Sequence, residues 1–208
     1  MMNSIKLEKP MYYKNDFALR FELGPAELGV WANREEGVLN DNYFKIAQER
    51  ALSIFHSAFS PSDDISIYYQ IFSDGRKKIR KGNYFLKQLK SVTAKKVEFS
   101  DHRDIYREDL DYKSHCWKRV SISNITINDL NVVSILEPSI NTDFGGRSPS
   151  VSGECYIKNH TQGLVFHIYD DRGMDLVANE KEALQGIYCA HYNWLLKYDL
   201  EHMDSVFS

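Results

Sequence analysis

The sequence predicts an α+β fold: an antiparallel or mixed β-sheet with helices packed mainly on one face, in a single domain over residues 1–208. Three observations carry this. Residues 17–23 and 65–72 alternate apolar and polar positions, the period of a half-buried strand. Residues 41–59 repeat apolar residues at three- and four-residue steps, the period of a helix face. The last third holds three short β-rich runs whose connections are too short for a parallel crossover, which needs about a dozen residues or more.

Taken in order, residues 1–16 are expected to be a loosely attached N-terminal segment. In the first strand Phe17, Leu19, Phe21 and Leu23 share one face and Arg20 and Glu22 the other, and Gly24-Pro25 closes it. The helix that follows puts Phe44, Ala47, Ala51, Ile54, Phe55 and Ala58 on one stripe. Asn40 or Asp41 is its expected cap, and Ser60-Pro61 its end. After the strand at 65–72 the residue types predict a strand over 117–125 and a short helix capped by Asn128, ending before Pro138. A polar loop, 141–153, precedes strands at 154–158, 163–169 and 174–178. A closing helix from about Lys181 should place Leu184, Ile187, Tyr188, His191, Tyr192 and Leu195 on one face.

With 43% hydrophobic and 26% charged residues the composition is that of a folded globular domain. Its 13 Tyr, 11 Phe and 3 Trp supply rings for a core and some for surface contact. A net charge of −3 argues against a chain-wide nucleic-acid binder and leaves room for a local basic patch. No apolar run approaches the ~20 residues of a membrane-spanning helix, and the start lacks a signal-peptide pattern. Cys116, Cys155 and Cys189 are widely spaced and read as reduced, mostly buried thiols, so a cytoplasmic location is expected.

The stretch HIYDDRGMDLV, residues 167–177, is the first candidate site. Gly173 is expected to provide a positive φ for the turn, and Asp170 and Asp171 to accept nearby backbone N–H groups. Arg172 can pair with either acid or with Asp175. Adjacent acids on an extended backbone point apart, so Asp170 and Asp171 are not expected to form a dyad. The candidate binding residues are Tyr169, Asp170, Asp171, Arg172 and Asp175, with Gly173 as the structural turn. A metal needs more converging carboxylates than this stretch supplies, and no metal or cofactor is expected. Cys189-x-His191 and His115-Cys116 have no second half with zinc spacing, and no Ser-nucleophile, P-loop or dinucleotide motif is present.

The second candidate is the run over 76–96, with nine Lys or Arg and no acid. Arg76, Lys77, Lys78, Arg80 and Lys81 precede Tyr84 and Phe85, a pairing of charge and rings found in single-strand nucleic-acid binders. A charge run is more often a solvated face, here neutralised by the acids of residues 98–111, and contact with an acidic protein partner is a further alternative.

Four phrases, LRFELG (19–24), KIRKGNYFLKQL (78–89), HIYDDRGMDLVA (167–178) and YNWLLKYDLEHMD (192–204), come in this order. With them the chain resembles, over essentially its whole length, the bacterial family called domain of unknown function 3885, whose hallmark is a Tyr-Asp-Asp-Arg-Gly motif. That family tends to carry a DYDR-like stretch later on. Here Leu200 stands where arginine is common, so no salt bridge is carried to that position. The resemblance implies a small cytosolic protein of Bacillus-like origin, with weight on Tyr169 to Gly173 and Asp175, and no set activity. The expectation is a non-catalytic macromolecule-binding protein with a protein partner and no membrane contact, by analogy an immunity or antitoxin protein. The alternatives are a metal-dependent phosphoesterase using the Asp170–Asp175 corner, or nucleic-acid binding through 76–96.

Overall fold

The computed structural model describes residues 5–72, 82–90, 94–102 and 117–208. In chain order the elements are β1 (Phe17–Glu22), β2 (Trp31–Asn33), β3 (Val38–Leu39), α1 (Asp41–Ala58), β4 (Asp64–Phe72), α2 (Gly82–Lys87), β5 (Lys96–His102) and β6 (Trp117–Thr126). They continue with α3 (Val132–Ile140), β7 (Glu154–Asn159), β8 (Leu164–Ile168), β9 (Gly173–Ala178), α4 (Glu182–Ala190) and α5 (Leu200–Phe207). Seven strands form one sheet in the order β1-β9-β8-β7-β4-β6-β5, and every pairing is antiparallel. β2 and β3 make a separate hairpin. The fold is α+β, as the periodicity predicts.

The alternation of β1 decides which face is which. Leu19, Phe21 and Leu23 are fully buried on the side where α4 packs against β1 and β9, α3 against β8, and α1 against α3 and α4. Phe55 of α1 meets Phe166 of β8 edge to face at 5.4 Å. The Asn40 side chain accepts the Asn42 N–H at 3.2 Å, which satisfies one free donor of α1's first turn.

The opposite face is covered as well. Met11 and Tyr12 are buried, and the Tyr12 N–H donates to Asp175 on β9. This part of the N-terminal segment is therefore fastened to the sheet, contrary to the loose attachment expected over 1–16. β8 and β9 are consequently buried at every position. Such cover leaves room for polar side chains only where they find partners.

Several elements depart from the expectation. The short helix starts at Val132 and runs through Pro138. A proline there leaves the carbonyl of Ser134 without its helical donor, and the Tyr84 hydroxyl donates to that carbonyl at 2.8 Å. The closing helix stops at Ala190, so His191, Tyr192 and Leu195 are not on its face. Instead Leu195 bridges to Phe21, and the Leu196 N–H donates to Arg20 O at 2.8 Å, so the chain closes the open edge of β1. β2, β3 and β5 had no counterpart in the expectation. Of the thiols, Cys155 is buried but Cys189 is exposed, and Cys116 lies outside the described residues.

Candidate functional site

The Tyr169–Gly173 corner is built where β1 ends beside the β8–β9 connection. The N–H groups of Leu23 and Gly24 donate to the carbonyls of Arg172 and Asp171 at 2.8 and 2.9 Å, which extends the β1–β9 ladder around the bend. Asp170 accepts the Arg172 N–H at 2.9 Å and Nε at 3.0 Å, with a further contact to the guanidinium terminus. The expected local acceptance of backbone N–H by an acid thus holds for Asp170. Arg172 is bound to Asp170, and its side chain remains 74% exposed.

Gly173 does not have the positive φ expected of it; the described glycines with positive φ are Gly37 and Gly163. Its requirement is space. A Cβ there would meet the Tyr169 hydroxyl and stand 2.5 Å from Phe21 O. Gly24 meets the same requirement under the phenol of Tyr43.

Asp175 does not join Asp171, nor does Arg172 pair with it. It is 1% exposed, accepts Arg20 Nε at 3.0 Å and the Tyr12 N–H at 3.2 Å, and belongs to a network with Tyr13 and Asp199. Burial raises the pKa of its carboxyl, and the Arg20 guanidinium opposes the rise. Arg20 also lies 5.4 Å from the Tyr169 ring centroid. Asp171 turns the other way and accepts the Tyr43 hydroxyl at 2.8 Å. Its pKa is raised by burial, and Asp170 adds to the rise while Tyr43 opposes it.

Asp170 and Asp171 are not splayed apart as on an extended strand, because residues 170–172 form a bend. Asp143, from the loop after α3, joins them: one ligand oxygen from each of the three lies within 4.8 Å of the others. These are the described residues able to hold a metal ion. Asp143 had no signal in the sequence beyond its place in a polar loop. That loop is pinned by Arg147, which donates to Asn141 at 2.9 Å and Asp41 at 2.6 Å, and by Phe144, whose ring packs on Phe44 at 4.9 Å.

Beside the corner lies a groove of about 540 Å³. Its walls are Pro25, Ala26, Leu28, Val30, Phe144 and Leu196, and its polar lining is Glu22, Tyr43, Asp143, Tyr169, Asp171 and Arg172.

A second polar group, which the sequence reading did not single out, lies on the face of the sheet that carries Arg20 and Asp175. Glu154 accepts Gln70 Nε2 and the Tyr156 hydroxyl, each at 2.7 Å, and Arg119 donates to Gln70 Oε1. His167 stacks on Tyr156 at 4.2 Å and donates Nδ1–H to Cys155 O, and its Nε2 is buried without a partner. Burial lowers its pKa to about 3, so the ring is neutral. His191 is buried, with Nε2 2.8 Å from Ser57 Oγ, a satisfied core histidine.

Arg76, Lys77, Lys78, Arg80 and Lys81 lie outside the described residues, as does His115-Cys116. The rings that follow the basic run are packed inward. Phe85 is fully buried against Tyr69 at 4.9 Å, and Tyr84 serves α3.

Fold and corner together define an α+β protein on a seven-stranded antiparallel sheet, with an acid–arginine hairpin end beside a groove. The family model described as Domain of unknown function (DUF3885) matches residues 2–199, and the chain belongs to that family. It is similar to "Uncharacterized protein YnaE" of Bacillus subtilis (strain 168), 25% identical over 211 residues that cover 94% of this chain and 93% of that protein. No solved structure matches the chain. Among the described residues no helix is long and apolar enough to cross a membrane.

Proposed function

We propose that this is a non-catalytic, cytosolic binding protein that docks a protein partner at the Tyr169–Arg172 corner and the groove beside it, in the manner of an immunity or antitoxin protein. One observation carries the reading. Each acid of the motif has an internal partner: Arg172 for Asp170, Tyr43 for Asp171 and Arg20 for Asp175. Carboxylates so engaged suit a fixed recognition surface better than proton transfer, which needs a group free to reach the reacting atom. Beside them stand an open groove and an outward arginine, features of an interface anchor.

The test is affinity capture from a Bacillus lysate with the wild-type chain and Arg172→Glu in parallel, then calorimetry on any purified partner. The expected result is a partner that binds the wild type and loses at least about tenfold in affinity for the variant, the size of one interface charge contact. Equal capture by both proteins, or none by either, counts against the reading.

A divalent-cation-dependent phosphoesterase is the second reading, favoured by the approach of Asp143 to Asp170 and Asp171. The engagement of Asp170 by Arg172 opposes it, since a cation would have to displace the guanidinium. Calorimetry with Mg²⁺, Mn²⁺ and Ca²⁺ that gives no heat of binding would remove it.

A further inference from the structure

We propose that the groove takes a cationic side chain, the guanidinium or ammonium of an arginine or lysine presented by the partner, with Asp171 as its anchor; this rests on the binding reading above and names its chemistry.

Asp171 is only 5% exposed and lines the groove. Among the described residues no Lys, Arg or His lies within 4.0 Å of its carboxylate, and its side-chain donor is the neutral Tyr43 hydroxyl. Arg172, its sequence neighbour, is committed to Asp170 through Nε and a terminal nitrogen. A buried carboxylate ordinarily has a cation or several hydrogen-bond donors. Asp171 has the Tyr43 hydroxyl, its own backbone N–H and the more distant charge of Arg172, but no cation in direct contact, and a cationic ligand supplies that contact.

The lining agrees in charge and in shape. Glu22, Asp143 and Asp171 stand against the single, already engaged Arg172. Leu28, Val30 and Phe144 give an apolar wall of the kind that sheathes the aliphatic stem of lysine or arginine. Tyr169, whose ring already carries the Arg20 guanidinium at 5.4 Å from its centroid, completes the lining beside Asp171. A bare divalent ion would use the carboxylates and leave the apolar wall without a purpose.

The experiment is an amide NMR titration of the full chain with Nα-acetyl-arginine methylamide, its lysine counterpart and the neutral citrulline analogue, with Mg²⁺ titrated separately. The expected result is saturable shifts at Gly24, Asp171 and Arg172 for the two cations and none for citrulline. Asp171→Asn should weaken binding about tenfold or more, the loss of one ion pair. If that variant fails to fold, the exposed Asp143→Asn, together with citrulline, carries the test. Equal shifts with citrulline, unchanged affinity in the folded variants, or a response to Mg²⁺ alone overturns the proposal. A purified partner that binds wild type and Asp171→Asn equally overturns it too, and leaves the protein-binding reading in place.

Discussion

Arg20 on β1 and Asp175 on β9 stand opposite one another in register, with Nε 3.0 Å from Oδ1 and the carboxylate 1% exposed. The pair lies beneath the N-terminal segment and ties three parts of the chain together: Tyr12 through Asp175, and Asp199 through Arg20. Arg20→Ala leaves Asp175 buried without its cation and should cost about 3 kcal/mol in urea unfolding. Replacing both residues by leucine should cost clearly less, because no charge is then stranded. A double variant as unstable as the single would refute the account.

Asp171, buried with a neutral partner, makes an unusual prediction. Its folded pKa is raised, so its contribution to stability is present below the unfolded value of 3.8 and is lost as pH rises through the folded one. Asp171→Asn keeps an acceptor for Tyr43 and removes the buried charge. The variant should be at least as stable as wild type at pH 7, with the difference vanishing in acid. Thermal melts across pH 3–7 on both proteins check this.

His167 titrates with the opposite sign. Its folded pKa is lowered from 6.5 to about 3, so its contribution is present above 6.5 and declines as pH falls below that value. Each pH unit in that window costs about 1.4 kcal/mol. His167→Gln should remove one proton's worth of acid sensitivity. An unchanged slope of stability against pH would show that another group is responsible.

Gly173→Ala forces a methyl against the Tyr169 hydroxyl and Phe21 O and should destabilise by about 1–3 kcal/mol, as overpacking does. Tyr169→Phe should recover part of the loss, because it relieves the hydroxyl contact and leaves the backbone one. Full recovery, or none, would contradict the geometry.

Tyr84→Phe should cost about 1 kcal/mol by stripping the donor from Ser134 O. In a Pro138→Ala background the restored N–H supplies that carbonyl, so the same change should cost less. A double-mutant cycle reads the coupling directly.

The elements legible in the sequence were those set by local residue period and by the turns that bound them. β1, α1, β4, β6 and the β7–β9 meander follow from period and from turn chemistry within a few residues of one another. What misled was what depends on distant partners. Pro138 ended the helix on paper because its remedy, Tyr84, is 54 positions away in the chain. Leu195 looked helical by spacing, yet it serves the edge of β1.

At the site, the sequence by itself placed acids within reach of Arg172 and left open which one it pairs with; the bend at 170–172 lets Asp170 accept its N–H and hold its guanidinium. Tertiary structure decided the rest. It sent Asp175 to Arg20, gave Asp171 the Tyr43 hydroxyl, brought Asp143 in from another loop and set Gly173 beneath Tyr169. The physical reason is that burial makes each of these polar groups need a partner, and which partner is near depends on how the sheet, α1 and the N-terminal segment pack together.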